Sequence, residues 1–263
     1  MTYKSPPILF ISYARYELAT VSFAQIKKIE PQEFYWYSNT SNKIETLVNI
    51  EKVQSLEKQI DWPCNIHKNW RAIPLDIYTS LRTALDWFYE NVKEGIVVEE
   101  DVMLSVDFVQ FVNLYRNQFN FISSNNYFKR SDKHMVSTYP QIYGWYLNAK
   151  LWRGLPRKLE VPSLSMCLNY SLLYGLYFYL KFKRYQRSGL SSAWDIILFS
   201  NMIKNSQYAL IPKVNLGMNM GVSGHHQSVE EFYHNIPIVE NNVFQDEGYK
   251  SGVVYDLKML RKK

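Results

Sequence analysis

Over the first half of the chain, short and uniformly apolar runs alternate with stretches in which apolar residues recur every three or four positions. Residues 7–12 (PILFIS) read as a buried strand, and Ala19, Phe23 and Ile26 within residues 18–29 keep a helical spacing. Residues 34–37 (FYWY) form a second strand, ended by Ser38 and Asn39, so the opening is β-α-β. From Ile77, the residues Leu81, Ala84, Leu85, Phe88 and Val92 define the stripe of a long amphipathic helix that Gly95 stops. Ile96, Val97 and Val98 are apolar on both faces, as a strand covered by helices is, and they run directly into Glu99, Glu100 and Asp101. Phe108, Phe111, Val112 and Tyr115 mark another helix, and residues 119–123 another strand. Such alternation predicts an α/β fold in a single domain, with a mostly parallel sheet flanked by helices. Ligands are then expected outside the carboxyl ends of the strands.

The second half is less regular. Leu164, Leu168, Leu172, Leu176 and Leu180 recur at i+4 in the most apolar run of the chain, which Ser165, Asn169, Ser171 and Gly175 interrupt. At about 17 residues it lies at the bottom of the range for crossing a bilayer, and it reads as a packed helix rather than a transmembrane one. Four tyrosines before the basic group Lys181, Lys183, Arg184 and Arg187 leave an interfacial helix as the alternative. Ser192 and Asp195 have capping-box spacing ahead of Ile197, Leu198 and Met202, so a helix is expected there, and residues 208–212 read as a last strand.

Composition narrows the class. With 47% hydrophobic and 21% charged residues, and ten Gly and ten Pro in 263, the chain is globular and excludes disordered or collagen-like architectures. Cys64 and Cys167 form no paired spacing, which argues against a zinc finger or a disulfide scaffold and for a reducing compartment. The first residues are too few and too polar for a signal h-region, so a cytoplasmic protein is expected. The net charge, 30 − 24 = +6, is dispersed except at 181–187 and 258–263. No motif or continuous basic stripe accompanies it, so nucleic acid is not an expected partner.

Three adjacent carboxylates at a strand end repel one another, and their desolvation is costly without a cation. One reading is a divalent metal shared with substrate phosphates, and the other is a solvated acidic turn. The wider pattern bears on that choice. Ile60-Asp-Trp-Pro-Cys64, Thr83-Ala-Leu-Asp-Trp-Phe88, Gly95-Ile-Val-Val-Glu-Glu-Asp101 and Ser105-Val-Asp-Phe108 occur in the order and spacing of a known family. So do Ser137-Thr-Tyr-Pro-Gln-Ile-Tyr-Gly-Trp145 with Trp152, then Trp194-Asp195, then residues 211–221. The chain thereby resembles a bacterial family of GT-A-fold nucleotide-sugar glycosyltransferases, more distantly similar to the animal enzymes that add N-acetylglucosamine to N-glycan cores.

The resemblance implies a GT-A domain over residues 1–228 and a C-terminal extension over 229–263. It implies a metal-dependent and inverting transfer, with Mn²⁺ or Mg²⁺, from a nucleotide-sugar donor to a hydroxyl of a surface polysaccharide or glycolipid. Asp101 takes the metal position, Glu100 sits beside the donor ribose or the metal's waters, and Glu99 turns inward as support. Asp195 is the candidate general base, or it completes the capping box. His226, better aligned than His225, completes the metal shell or is simply exposed. Arg15 meets the nucleobase or a phosphate or is structural, Asn219 stands in the donor-binding set, and Trp145 forms a sugar-facing wall or lies in the core. Departures fall at Ser38-Asn39, at Ile73-Pro74-Leu75 and at Tyr143, all around the donor pocket. They motivate an alternative, a non-catalytic nucleotide- or carbohydrate-binding relative. The basic groups would suit peripheral contact at the inner face of a membrane carrying the acceptor.

Overall fold

The computed structural model describes residues 4–126, 133–172, 174–221 and 249–251. They form eleven strands: β1 (Ile8–Ser12), β2 (Glu33–Ser38), β3 (Asn65–Trp70), β4 (Glu94–Glu99), β5 (Val102–Leu104), β6 (Phe121–Ser123), β7 (His134–Ser137), β8 (Trp145–Asn148), β9 (Ala209–Ile211), β10 (Gly217–Asn219) and β11 (Tyr249–Ser251). The helices are α1 (Tyr16–Ile29), α2 (Ile44–Gln54), α3 (Ile77–Asn91), α4 (Asp107–Tyr115), α5 (Ala149–Arg153), α6 (Leu164–Tyr170), α7 (Gly175–Arg187) and α8 (Trp194–Lys204). Nine strands make one sheet in the order β11-β7-β9-β6-β8-β4-β1-β2-β3, and β5 and β10 pair separately as an antiparallel ribbon. The pairs β1/β2, β1/β4, β2/β3, β6/β9 and β7/β11 are parallel, whereas β4/β8, β6/β8 and β7/β9 are antiparallel. This is the α/β, mostly parallel arrangement that the alternating pattern predicts.

The period of two along β1 divides the core. Ile8 and Phe10 face α1, α2 and α4, with Phe23, Trp36, Val98 and Phe108, while Leu9 and Ile11 face α3 and α5 to α8, with Phe88, Trp152, Phe182 and Leu198. Since both faces are covered, all five residues of β1 are buried.

Several elements differ from the sequence expectation. α3 begins on the carboxylate of Asp76, which accepts the N–H groups of Tyr78 and Thr79, but Ile77 itself is exposed. The helix ends at Asn91, and Gly95 lies inside β4, where a Cβ would overlap the Phe88 ring. Gly95 therefore lets α3 approach the sheet instead of stopping the helix. β3 (NIHKNW) has no uniformly apolar or alternating pattern because it is the outermost strand beside β2.

The largest correction concerns the leucine run. It breaks at Ser171 into α6 and α7, and Gly175 sits where a Cβ would collide with the Cys167 carbonyl. Its leucine stripe does not pack inward: Cys167, Tyr170, Phe178 and Phe182 are buried, while Leu164, Leu172, Leu176 and Leu180 are exposed. The aromatic rings of the buried set close on Phe199 of α8. Among the described residues no helix is long and apolar enough to cross a membrane. The capping box also does not form, because Ser192 belongs to a 3₁₀ turn (Gly189–Ser192) and no side chain caps α8. The expected boundary at 228/229 lies outside the described residues.

Candidate functional site

The chain runs from β1 to β2 and β3 on one side and returns to place β4 on the other side of β1. Adjacent parallel strands whose connections leave in opposite directions open a crevice at their carboxyl ends, the usual ligand position in such sheets. Here that end carries Tyr13 and Arg15 after β1, and Glu99, Glu100 and Asp101 at the end of β4.

Alternation along the strand separates the three acids. Val98 and Glu100 share the side of α1, and Glu100 is 2% exposed with both carboxylate oxygens in use. Its Oε2 accepts the Tyr13 N–H at 2.6 Å and its Oε1 accepts Arg15 Nε at 2.7 Å. Its own N–H donates to the Ile11 carbonyl. From α1, the buried Ser22 hydroxyl reaches the carbonyls of Glu100 and Val102 at 2.8 and 2.7 Å and so fixes the turn. A carboxylate buried and paired in this way positions Arg15. Glu99 follows Val97 onto the other side, the one that α8 covers. Its carboxyl is raised to about 8 by burial and then by the charge of Asp101, against the pull of Arg15, with Glu100 and Asp195 adding to the rise. The inward support role thus belongs to Glu100, and Glu99 faces the crevice. The order of Val97 and Val98 on the two sheet faces was the signal for this in the sequence.

Asp101 stands between these sides. Its Oδ2 accepts Arg15 Nη1 at 2.8 Å and the Asn219 amide at 3.4 Å, and its backbone carbonyl accepts the Met220 N–H at 2.7 Å. Asn219 is the last residue of β10, opposite Val102 of β5, and its Oδ1 accepts the Gly221 N–H at 2.7 Å. A Cβ on Gly221 would come within 2.9 Å of the same Asp101 oxygen, so the absence of a side chain there admits the chain to the carboxylate. Asn219 therefore orders Asp101. Arg15 has a half-exposed side chain; burial works against its charge, but Asp101 and Glu100 outweigh that and raise its pKa above the ordinary value.

On the facing wall, Asp195 is the second residue of α8, where the helix N-terminus favours negative charge. Its charge contributes to the rise of Glu99 and also of Tyr139, whose hydroxyl is pushed up to about 12 by burial first and Asp195 next. Glu99, Asp195 and Tyr139 therefore share one neighbourhood, and Tyr139 is a member that motif reading did not single out. Trp145 is completely buried and stacks on Trp194 at 5.0 Å between ring centroids. It forms no sugar-facing wall; it backs the helix start that carries Asp195.

The two departures flanking the crevice meet each other. The Asn39 side chain donates to the Leu75 carbonyl at 2.8 Å and accepts the Leu75 N–H at 3.2 Å, joining the loop after β2 to the segment before α3. His225 and His226 lie outside the described residues. Among the described residues no three or more His, Cys, Asp or Glu side chains converge as a metal site. Both Glu100 oxygens are already engaged, by the Tyr13 N–H and Arg15 Nε. Asp101 Oδ1 makes no hydrogen bond among the described residues, and one carboxylate completed by substrate phosphates is a common Mg²⁺ arrangement.

No protein-family model matches the chain, and no curated protein matches it by sequence. Among solved structures it is similar to 4-diphosphocytidyl-2C-methyl-D-erythritol synthase from Anaerococcus prevotii, at 11% identity over 89% of this chain and 96% of that one, with a TM-score of 0.46. It is similar to the mannosyltransferase PcManGT from Pyrobaculum calidifontis in complex with GDP-Man and Mn²⁺, at 11% identity over 76% and 74%, with a TM-score of 0.44. Mouse xyloside xylosyltransferase 1 in its apo form matches at 10% identity over 76% and 83%, with a TM-score of 0.42. Likenesses this distant assign the chain to none of these activities.

Proposed function

We propose that the chain is a GT-A-type nucleotide-sugar glycosyltransferase that transfers a sugar, with inversion, to a hydroxyl of a surface polysaccharide or glycolipid acceptor in the cytoplasm. The observation that supports this most is the pairing of Arg15 with Asp101 at the carboxyl ends of β1 and β4, beside Glu99, which feels the charges of both and of Asp195. Asp101 Oδ1 would hold Mn²⁺ or Mg²⁺, with His226 or His225 as the candidate further ligand. When bound, that ion neutralises charge on the diphosphate leaving group.

The remaining steps belong to the chain. Asp195 accepts the proton of the acceptor hydroxyl as its oxygen attacks the anomeric carbon from the face opposite the diphosphate. The bond from that carbon to the diphosphate oxygen breaks, and the electron pair leaves on the nucleoside diphosphate. Arg15, held through Nε and Nη1, keeps Nη2 clear of hydrogen bonds among the described residues and can donate to a departing phosphate oxygen. Glu100 and Asn219 fix the two groups that meet the donor.

A second reading, a relative that binds nucleotide or carbohydrate without turnover, is favoured by one observation. Arg15 already pairs with both Glu100 and Asp101, so a built-in cation stands where a metal would be drawn. The two readings separate in an assay of nucleoside diphosphate release from UDP-, GDP- and dTDP-sugars, with an acceptor panel and with Mn²⁺ or EDTA. The first expects metal-dependent release from one donor, reduced at least about a hundredfold in Asp101→Asn. The second expects thermal stabilisation by a nucleotide and no release from any donor.

A further inference from the structure

The leucine stripe that turns away from the core needs a partner. Leu164, Met166, Leu172, Leu176, Tyr177 and Leu180 are all exposed, Leu172 to 84% and Leu180 to 58%, and they are nearly half of the large apolar side chains exposed among the described residues. At 3.6 residues per turn, Leu176, Leu180, Lys183, Arg184 and Arg187 fall on one side of α7, opposite the buried Phe178 and Phe182. The outer side is therefore apolar over its first turns and basic over its last. Charge completes the pattern: residues 161–194 contain no Asp or Glu, and Lys181, Lys183, Arg184 and Arg187 give the stretch a formal +4 of the whole chain's +6. Lys181 lies over the rings of Tyr177 and Tyr185, at 5.5 and 5.6 Å, and Lys183 lies over Tyr179 at 5.7 Å. Such stacking keeps the ammonium groups beside aromatic and apolar surface instead of extended into water.

We propose that the outer face of α6 and α7 is a docking surface for an anionic lipid bilayer. Exposed leucines insert at the boundary between headgroups and acyl chains, tyrosines sit at the headgroup level, and the cations pair with anionic headgroups. α7 has 13 residues, too few to span a bilayer, so it lies along the surface. The inner faces of α6 and α7 rest on α8, the helix that starts with Trp194 and Asp195. Docking here thus sets the crevice at a fixed height above the membrane. The inference stands on exposure and charge and does not depend on the glycosyl-transfer reading.

The test is co-sedimentation of the full chain with vesicles of phosphatidylcholine alone and with about a third phosphatidylglycerol. Binding is expected only to the anionic vesicles and is expected to weaken as salt rises. Two double variants on exposed positions, Leu176→Glu with Leu180→Glu and Arg184→Glu with Arg187→Glu, should each lower the fraction bound at least about tenfold, with circular dichroism and melting unchanged. A wild-type chain that does not sediment with anionic vesicles overturns the proposal, as do variants that bind like wild type. Two further results also overturn it by naming another occupant. One is a dimer in light scattering that the leucine variants convert to monomer. The other is vesicle binding that appears only after residues 222–263 are removed, which would mean that the chain's own C-terminal part covers the face.

Discussion

On the face of the sheet covered by α1, α2 and α4, Glu100 is buried and takes hydrogen bonds from Tyr13 and Arg15. On the face covered by α3 and α5 to α8, its neighbour Glu99 lies in the fields of Asp101 and Asp195 and is held up to about 8. The two residues are adjacent and of one type, and an extended backbone sends them to opposite faces. The first face uses its charge to fix an arginine. The second holds one carboxyl group whose proton affinity is raised, that of Glu99, in the field of the candidate proton acceptor Asp195. A run of acids in a sequence is thus not one site, because its odd and even members serve different sides.

Asp195→Asn should have the largest effect. It removes the candidate proton acceptor from the second face, and turnover is expected to fall by about 10² to 10⁴ with the melting temperature unchanged. A variant retaining most of its activity would break the contrast between the faces. Glu100→Gln should act on the other side and in the other way. Replacing the charged partner of Arg15 and Tyr13 is expected to cost about 1–3 kcal/mol in urea denaturation, while turnover per folded molecule stays within an order of magnitude. Loss of turnover without loss of stability would move Glu100 into the crevice after all.

The smallest effect concerns the two cysteines, which report one on each face. Cys64 packs against the α1 side and is partly exposed, whereas Cys167 is buried between α6 and its neighbours, where burial pushes its thiol up to about 11. Burial raises both thiols, so access decides: at pH 8 iodoacetamide should modify the partly exposed Cys64 first and the buried Cys167 only in denaturant, as read by mass spectrometry. Equal rates would show that α6 and α7 part from the sheet in the folded chain.

The first face was the more legible one. The apolar runs of β1, β2 and β4 and the stripe of α4 mark their elements because each is covered on the side where its apolar residues point. β3 was missed because an outer strand needs no continuous apolar pattern. On the second face, the leucines at i+4 gave the helices but the wrong side of them, since aromatic Phe178 and Phe182 fill the space against Phe199 and leave the smaller side chains outside. In the site, Arg15, Asp101 and Asp195 were all visible as types at motif positions. The support role of Glu100, the burial of Trp145 and the nearness of Tyr139 depend on strand parity and on packing between distant segments, which spacing does not encode.

The ribbon of β5 and β10 carries a further consequence, for the order in which the protein is made. Asp101 is held from one side by Arg15, translated 86 residues earlier, and from the other by Asn219, translated 118 residues later. A chain still on the ribosome can assemble β1, β2 and β4 and bring Arg15 to Glu100 while Asp101 lacks its second support. The second support of Asp101 therefore arrives only once β10 has been translated, 118 residues after the acid itself, and a chain stopped before it has Arg15 on Asp101 without Asn219.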